Sequence, residues 1–342
     1  QVSDLMFHYL RLLVSLAAVN FHCAGMDLRS FSIRLAPEAP VPVRTAGRML
    51  SEEVEIRTRI RMPVVTGSSE ECIHLRVDTR AGLPAEGYRI RKGGICAVEI
   101  TGSDPRGVLF GVGRLLRELK MTPGSAELPS TLNITSAPRF PVRGHQLGYR
   151  SANNTYDAWT VSDYERYIRD MAVFGANTVE LTGTATGREG SGNTHFPVAP
   201  LRMHQEVSRL TAEYGLDFSI WLPADEKSYD DPATVERALR EWDAAFRALP
   251  KLDAVFVPGG DPGHTEPRVL MPFLEKAAAV LRRHHPKAGL WVSPQGMDDE
   301  WLKQFYSELR ARPRWLSGVV HGPWVRVPMR EFCAAVPASI PI

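Results

Sequence analysis

A chain of 342 residues with 44% hydrophobic side chains can bury cores for two folded units, or for one large α/β unit with an appendage, and is not a disordered polymer. Its 41 basic and 39 acidic residues leave a net charge of +2, so no bulk field selects nucleic acid or an anionic membrane as partner. Four cysteines, Cys23, Cys72, Cys96 and Cys333, form no CxxC pair, which excludes the usual zinc-ribbon and thioredoxin spacings.

The stretch "YLRLLVSLAAVNFHCAG" (9–25) has an arginine, a short apolar run and small residues near its end. That is the pattern of a secretory signal, so residues 1–27 read as a leader and the location as periplasmic or extracellular. The run is shorter than the ~20 apolar residues of a membrane-spanning helix, and no other segment is a candidate span. Between 28 and 137 the pattern is a small α/β unit. "FSIRLA" reads as a strand and "TAGRMLSEEVEIRTRI" as a helix. "IHLRVDT", "GYRIRKGG" and "CAVEIT" alternate apolar and polar positions with glycine turns between them, as antiparallel strands do. Cys72 and Cys96 fit either core thiols or a bridge. A helix follows from Ser103 or Asp104, "RGVLFGVGRLLREL", whose glycines call for close packing on the sheet. It does not match GxGxxG, and no P-loop occurs, so no nucleotide cofactor is expected. The Pro/Ser/Thr-rich piece 121–141 reads as a linker.

From 138 to 342 the order is more regular. Strands are expected near 142, 177, 216, 252, 289 and 315, with helices between them. The first helix carries Ser162 and Glu165 as a capping box and stops at Gly175; the second stops at Gly215; Asp231-Pro232 opens the third. Six strands alternating with five helices argue for a parallel sheet. The repeat suits a (β/α)8 TIM-type barrel, in which eight units take ~250 residues. This chain is expected to hold an incomplete one. A doubly wound open sheet fits the same periodicity, and in either fold chemistry sits at the strand ends.

Those ends are polar. The first strand offers Arg143, His145, Gln146, Tyr149 and Arg150; the second Glu180 and Thr182; the third Trp221, Asp225 and Glu226. The fourth offers Asp261, His264 and Glu266, the fifth Ser293 and Gln295, and the sixth His321 and Trp324. Aromatic rings beside carboxylates, amides and imidazoles suit a polyhydroxylated ligand. Cleaving a glycosidic bond also needs a proton donor and a group that stabilises positive charge at the anomeric carbon. In "VFVPGGDPGHTEP" (255–267) Asp261 follows Gly259 and Gly260, which would let the backbone come close to a ligand. Glu180 sits inside an apolar strand, where a carboxylate needs a partner. The histidines form no HxH or HExxH pair, so no metal is expected. Trp221 and Trp291 read as core.

"SAPRFPVRGHQLGYR" (136–150), after a small α/β unit ending in "GVLFGVGRLLREL", resembles the entry into the catalytic barrel of the family 20 β-N-acetylhexosaminidases. The unit before it resembles the N-terminal domain that those enzymes share with the family 67 α-glucuronidases. "VPGGDP" resembles the Gly-Gly-Asp-Glu signature that ends their fourth barrel strand. The resemblance implies that Arg143 grips sugar hydroxyls and that Asp261 orients a substrate acetamido group. The general-acid Glu of the family falls at Pro262, which has no proton to give, so either Glu266 or Asp261 itself would serve as acid.

The expectation is therefore a glycoside hydrolase acting on a terminal O-glycosidic bond, with a carbohydrate substrate and no cofactor. Asp261 leads its carboxyls, with Glu266 or Glu180 as the second. Arg143, His145, Gln146, Tyr149, Gln295, His321 and Trp324 would hold the sugar. The alternative is a carbohydrate-binding protein on the same scaffold that has lost its acid. Composition and pattern say nothing of the oligomeric state.

Overall fold

The computed structural model describes residues 26–67, 71–93, 96–129, 131–149, 156–182, 196–226, 228–260 and 263–342. The chain divides into two compact units at Ala137/Pro138. No helix among the described residues is long and apolar enough to cross a membrane.

The first unit runs β1 (Met26–Asp27), β2 (Ser32–Arg34), α1 (Val41–Thr58), β3 (Val64–Val65), β4 (Cys72–Val77), β5 (Tyr88–Lys92), β6 (Val98–Gly102), α2 (Pro105–Glu118), β7 (Lys120–Thr122), β8 (Ser125–Leu128) and β9 (Asn133–Ser136). Its main sheet has the order β3-β2-β4-β6-β5-β9. The antiparallel reading holds for β5 with β6, whereas β4 pairs in parallel with β6 rather than with β5. Period-two alternation marks a strand but carries no direction. Ile33, Ile73, Leu75, Ile90, Val98 and Ile100, each at most 1% exposed, form the face on which α1 and α2 pack. The Asp104 side chain accepts from Gly107 N at 2.8 Å and caps α2. The glycine-rich face of α2 is needed: a Cβ on Gly111 would lie 2.5 Å from Ile100 Cγ2. Cys72 and Cys96 are joined in a disulfide. The expected linker is instead ordered. Its Pro123-Gly124 pair turns a hairpin between β7 and β8, and β9 pairs with β5.

The second unit runs β10 (Gly144–Gly148), α3 (Val161–Val173), β11 (Thr178–Thr182), α4 (Pro200–Tyr214), β12 (Asp217–Trp221), α5 (Pro232–Ala248), β13 (Ala254–Pro258), α6 (Pro267–His284), β14 (Gly289–Ser293), α7 (Asp299–Arg310), β15 (Gly318–Val319) and α8 (Met329–Ala335). The α3 capping box is Thr160 with Asp163, two residues earlier than the expected pair. Gly215 caps α4 with φ 70°, and Asp231 caps α5.

All six strands are parallel and lie in sequence order, β10 to β15. This order removes the doubly wound alternative. Right-handed crossovers between successive neighbours put every helix on the same face, whereas a doubly wound sheet needs a point where the order reverses. The side chains agree. Leu147, Leu181, Ile220, Val255, Leu290 and Val319 are fully buried and face the helices, which pack as α3 on α4 and as α5, α6 and α7 in succession. The opposite face carries Gln146, Glu180 and Ser219 in one register row and Gly148, Thr182, Trp221, Phe256, Trp291 and Gly318 in the next. Helices outside and a mixed polar and aromatic face inside make a partial (β/α) barrel.

Candidate active site

Side-chain parity sorts the expected residues of β10. Residues two apart share a face, and Leu147 faces the helices, so His145 and Tyr149 do too. His145 Nδ1 lies 3.0 Å from the Tyr167 hydroxyl on α3. Tyr149 is fully buried against Tyr164 and Phe196. Its hydroxyl donates to Val198 O at 2.6 Å, and burial pushes its pKa up. Arg143 precedes the strand, at the end opposite to the carboxyl termini. Its Nε donates to Gly175 O at 2.9 Å and its Nη1 to Phe140 O at 2.6 Å. These three side chains brace the barrel rather than face the strand ends, because the odd positions of β10 belong to the helix side.

Gln146 and Glu180 do face inward, and they meet. Gln146 Nε2 donates to Glu180 Oε1 at 2.5 Å, and Ser219 Oγ donates to Oε2 at 3.4 Å. Burial raises the Glu180 pKa, and the two hydrogen bonds only partly oppose that. Glu180 is thus a partnered interior carboxyl that holds its proton to a higher pH than an ordinary glutamate. It lies one inward position below Thr182, which closes its strand.

A second group gathers at the carboxyl ends of β13 to β15. Gly259 N donates to Ser293 O at 2.7 Å, Gly260 N to Gln295 O at 2.8 Å, and Gly296 N to Trp324 O at 3.2 Å. The sheet ladder therefore continues past the strands and ties three loops together. It also explains the double glycine. A Cβ on Gly259 would lie 2.5 Å from Ser293 O, and one on Gly260 2.6 Å from Gln295 O. The backbone these glycines admit is that of residues 293–297 and not, as expected from sequence, that of a ligand. Gly263, with φ 117°, would set a Cβ 2.2 Å from Ala224 O. Gly260 and Gly263 are thus each packed closely against neighbouring backbone at the carboxyl end. Asp261 and Pro262 lie outside the described residues, as does Arg150.

Beside this loop, Ser293 is fully buried with its hydroxyl unpartnered among the described residues. Gln295 is buried too, and Ser293 faces inward by parity with Trp291. Gly322 packs closely over them: a Cβ there would be 3.1 Å from Ser293 Oγ and 3.4 Å from Gln295 Oε1. His321 Nε2 lies 2.9 Å from Val327 O, with its ring edge-on to Phe332. Trp324 is 73% exposed and holds a left-handed backbone, φ 63°. Glu266 precedes α6, and its Oε2 accepts from Arg268 Nε at 2.6 Å. His264 is exposed, with its ring 4.7 Å from that of Trp301. Trp291, expected as core, faces inward with its ring lying across Gly318 of the next strand. Its parity between Leu290 and Val292 was the signal for that placement.

These elements define a small α/β unit followed by a partial (β/α) barrel. No family model matches the chain, and no curated protein matches it. Among solved structures it is similar to the Flavobacterium johnsoniae chitobiase of family 20, with a TM-score of 0.60 and 13% identity over 79% of this chain and 50% of that one. A β-N-acetylhexosaminidase from Bacteroides fragilis gives 0.59 and 15%, over 77% and 62%. A family 115 4-O-methyl-α-glucuronidase with specificity for decorated arabinogalactans gives 0.59 and 12%, over 81% and 43%. The chain shares its fold with these enzymes and spans about half the length of the chitobiase chain.

Proposed function

We propose that the protein is a glycoside hydrolase acting on a terminal O-glycosidic bond, with its sugar site at the carboxyl ends of the barrel strands. The observation that carries this reading is the knitted mouth at β13–β15. There the closely packed glycines Gly259 and Gly260, a buried unpartnered hydroxyl, a buried amide and an exposed tryptophan meet at the end of the sheet where barrel enzymes do their chemistry. Asp261 is the leading carboxyl of the proposal. Glu180 is preferred to Glu266 as the second, because burial raises its pKa, the direction a proton donor needs, while Glu266 is held by Arg268. Gln295, His321 and Trp324 remain as sugar contacts, with Gln146 orienting Glu180. The Cys72–Cys96 bridge supports export to an oxidising compartment, where disulfides persist.

A second reading has one observation in its favour. Pro262 stands where the resembling family carries its acid, and a scaffold without that acid would bind sugar and not cleave it. Calorimetry with a panel of oligosaccharides, run beside release from aryl glycosides, separates the two. Release supports the hydrolase, and binding without release supports the lectin-like reading. In either case Trp324→Ala should weaken binding by about tenfold, the worth of one good ring contact. Unchanged affinity in that variant would remove the mouth from the account.

A further inference from the structure

The main sheet of the first unit has helices on its apolar face and a different surface on the other. One register row crosses that other face as Arg34, His74, Glu99, Arg91 and Asn133. The next crosses as Arg76, Thr101, Arg89 and Thr135. Neighbouring strands are ~4.8 Å apart, so four guanidinium groups and an imidazole crowd around the Glu99 carboxylate, with Asp78 at the edge of the patch, 3.3 Å from Arg76 Nη2. Glu99 is already engaged: Thr101 Oγ1 donates to it at 3.0 Å, and Arg76 Nε lies 3.2 Å from it. Arg34 Nη1 and Arg89 Nε are buried with no hydrogen-bond partner among the described residues. Burial first, and then the Arg34 charge, holds the His74 pKa below its ordinary value.

Like charges on adjacent strands destabilise a sheet, so this arrangement does not serve the fold. Guanidinium forks match carboxylates in pairs. Arg91 is exposed and can reach a ligand lying along the sheet, while the Arg76 side chain, 41% exposed, is shared between Asp78 and Glu99. No aromatic side chain stands in the two rows, and single-stranded nucleic acid would need such rings to stack its bases.

We propose that this face binds an extended polysaccharide bearing carboxylates, a uronic-acid polymer in chemical class. The charge complementarity carries the assignment. The binding is independent of any turnover at the barrel, so the failure of one reading leaves the other standing. The test is affinity electrophoresis of the full chain through native gels containing polygalacturonate or neutral dextran, with duplex DNA titrated in parallel. Polygalacturonate should retard the protein and dextran should not, and added salt should abolish the effect. Arg34→Gln with Arg91→Gln should raise the apparent Kd about tenfold, the loss of one charge-assisted bond or more. Glu99→Gln should lower it, a gain that misfolding cannot produce. Equal retardation by dextran, an unchanged Kd in both variants, or tighter binding to DNA than to polygalacturonate would overturn the proposal.

Discussion

Glu180 shows at the scale of one residue how position sets chemistry. Its carboxyl stands on the inner face of the sheet, where burial disfavours the charge and Gln146 and Ser219 return only part of the lost hydration. A raised folded-state pKa means that the protonated side chain's contribution to stability is present below the ordinary glutamate value. That contribution is lost as pH rises through the folded one. Glu180→Gln should therefore raise the melting temperature relative to wild type more at pH 8 than at pH 4. The same offset at both values would show that burial is not what perturbs it. The neighbouring strand holds the lesson about legibility. The polar residues of "RGHQLGY" all read as ligands for a sugar, but Leu147 is the one aliphatic among them, and it assigns the odd positions to the helix side. His145 and Tyr149 could have been set aside on that ground alone. The partners they found, Tyr167 and Val198, could not have been named, because they depend on packing across distant parts of the chain.

Elements were legible wherever an end signal and a period agreed. Asp104 before Pro105, Asp231 before Pro232 and Gly215 after Tyr214 mark helix ends in the sequence as they do in the structure. The hairpin β7–β8 was hidden because Pro, Ser and Thr dominate its composition, although Pro-Gly is itself a turn signal. The double glycine after β13 reads in the sequence as conformational freedom, but the reason for it lies on the neighbouring segment. Gly263 makes that reason measurable. Gly263→Ala combines a positive φ with a Cβ 2.2 Å from Ala224 O, so it should lower stability by about 2 kcal/mol or more in urea titration. A change below 0.5 kcal/mol would mean that Gly263 is not packed against Ala224. The Cys72–Cys96 bridge closes a separation of 24 residues, and a loop of that length contributes about 3 kcal/mol in the chain-entropy account. Replacing both cysteines with alanine should lower the first unit's melting temperature by roughly 10 °C, whereas an unchanged transition would mean that the bridge adds no constraint.

For the whole molecule, strand order decides the architecture. Periodicity alone admitted both a barrel and a doubly wound sheet, because each alternates strand and helix at the same spacing. Only the pairing register, which no local pattern encodes, shows that the six strands follow one another without reversal. From that order come the single helix layer, the inner face and a mouth at one end. At this scale the resemblance read from three short motifs and the likeness to family 20 and family 115 structures agree on the fold, and the proposed chemistry centres on Asp261. Steady-state hydrolysis of its best aryl glycoside by the wild-type protein and by Asp261→Asn is the most direct measurement. The account predicts a fall in kcat of about 100-fold or more with the fold intact, the range expected for losing a general acid, and an unchanged kcat in the variant would contradict it.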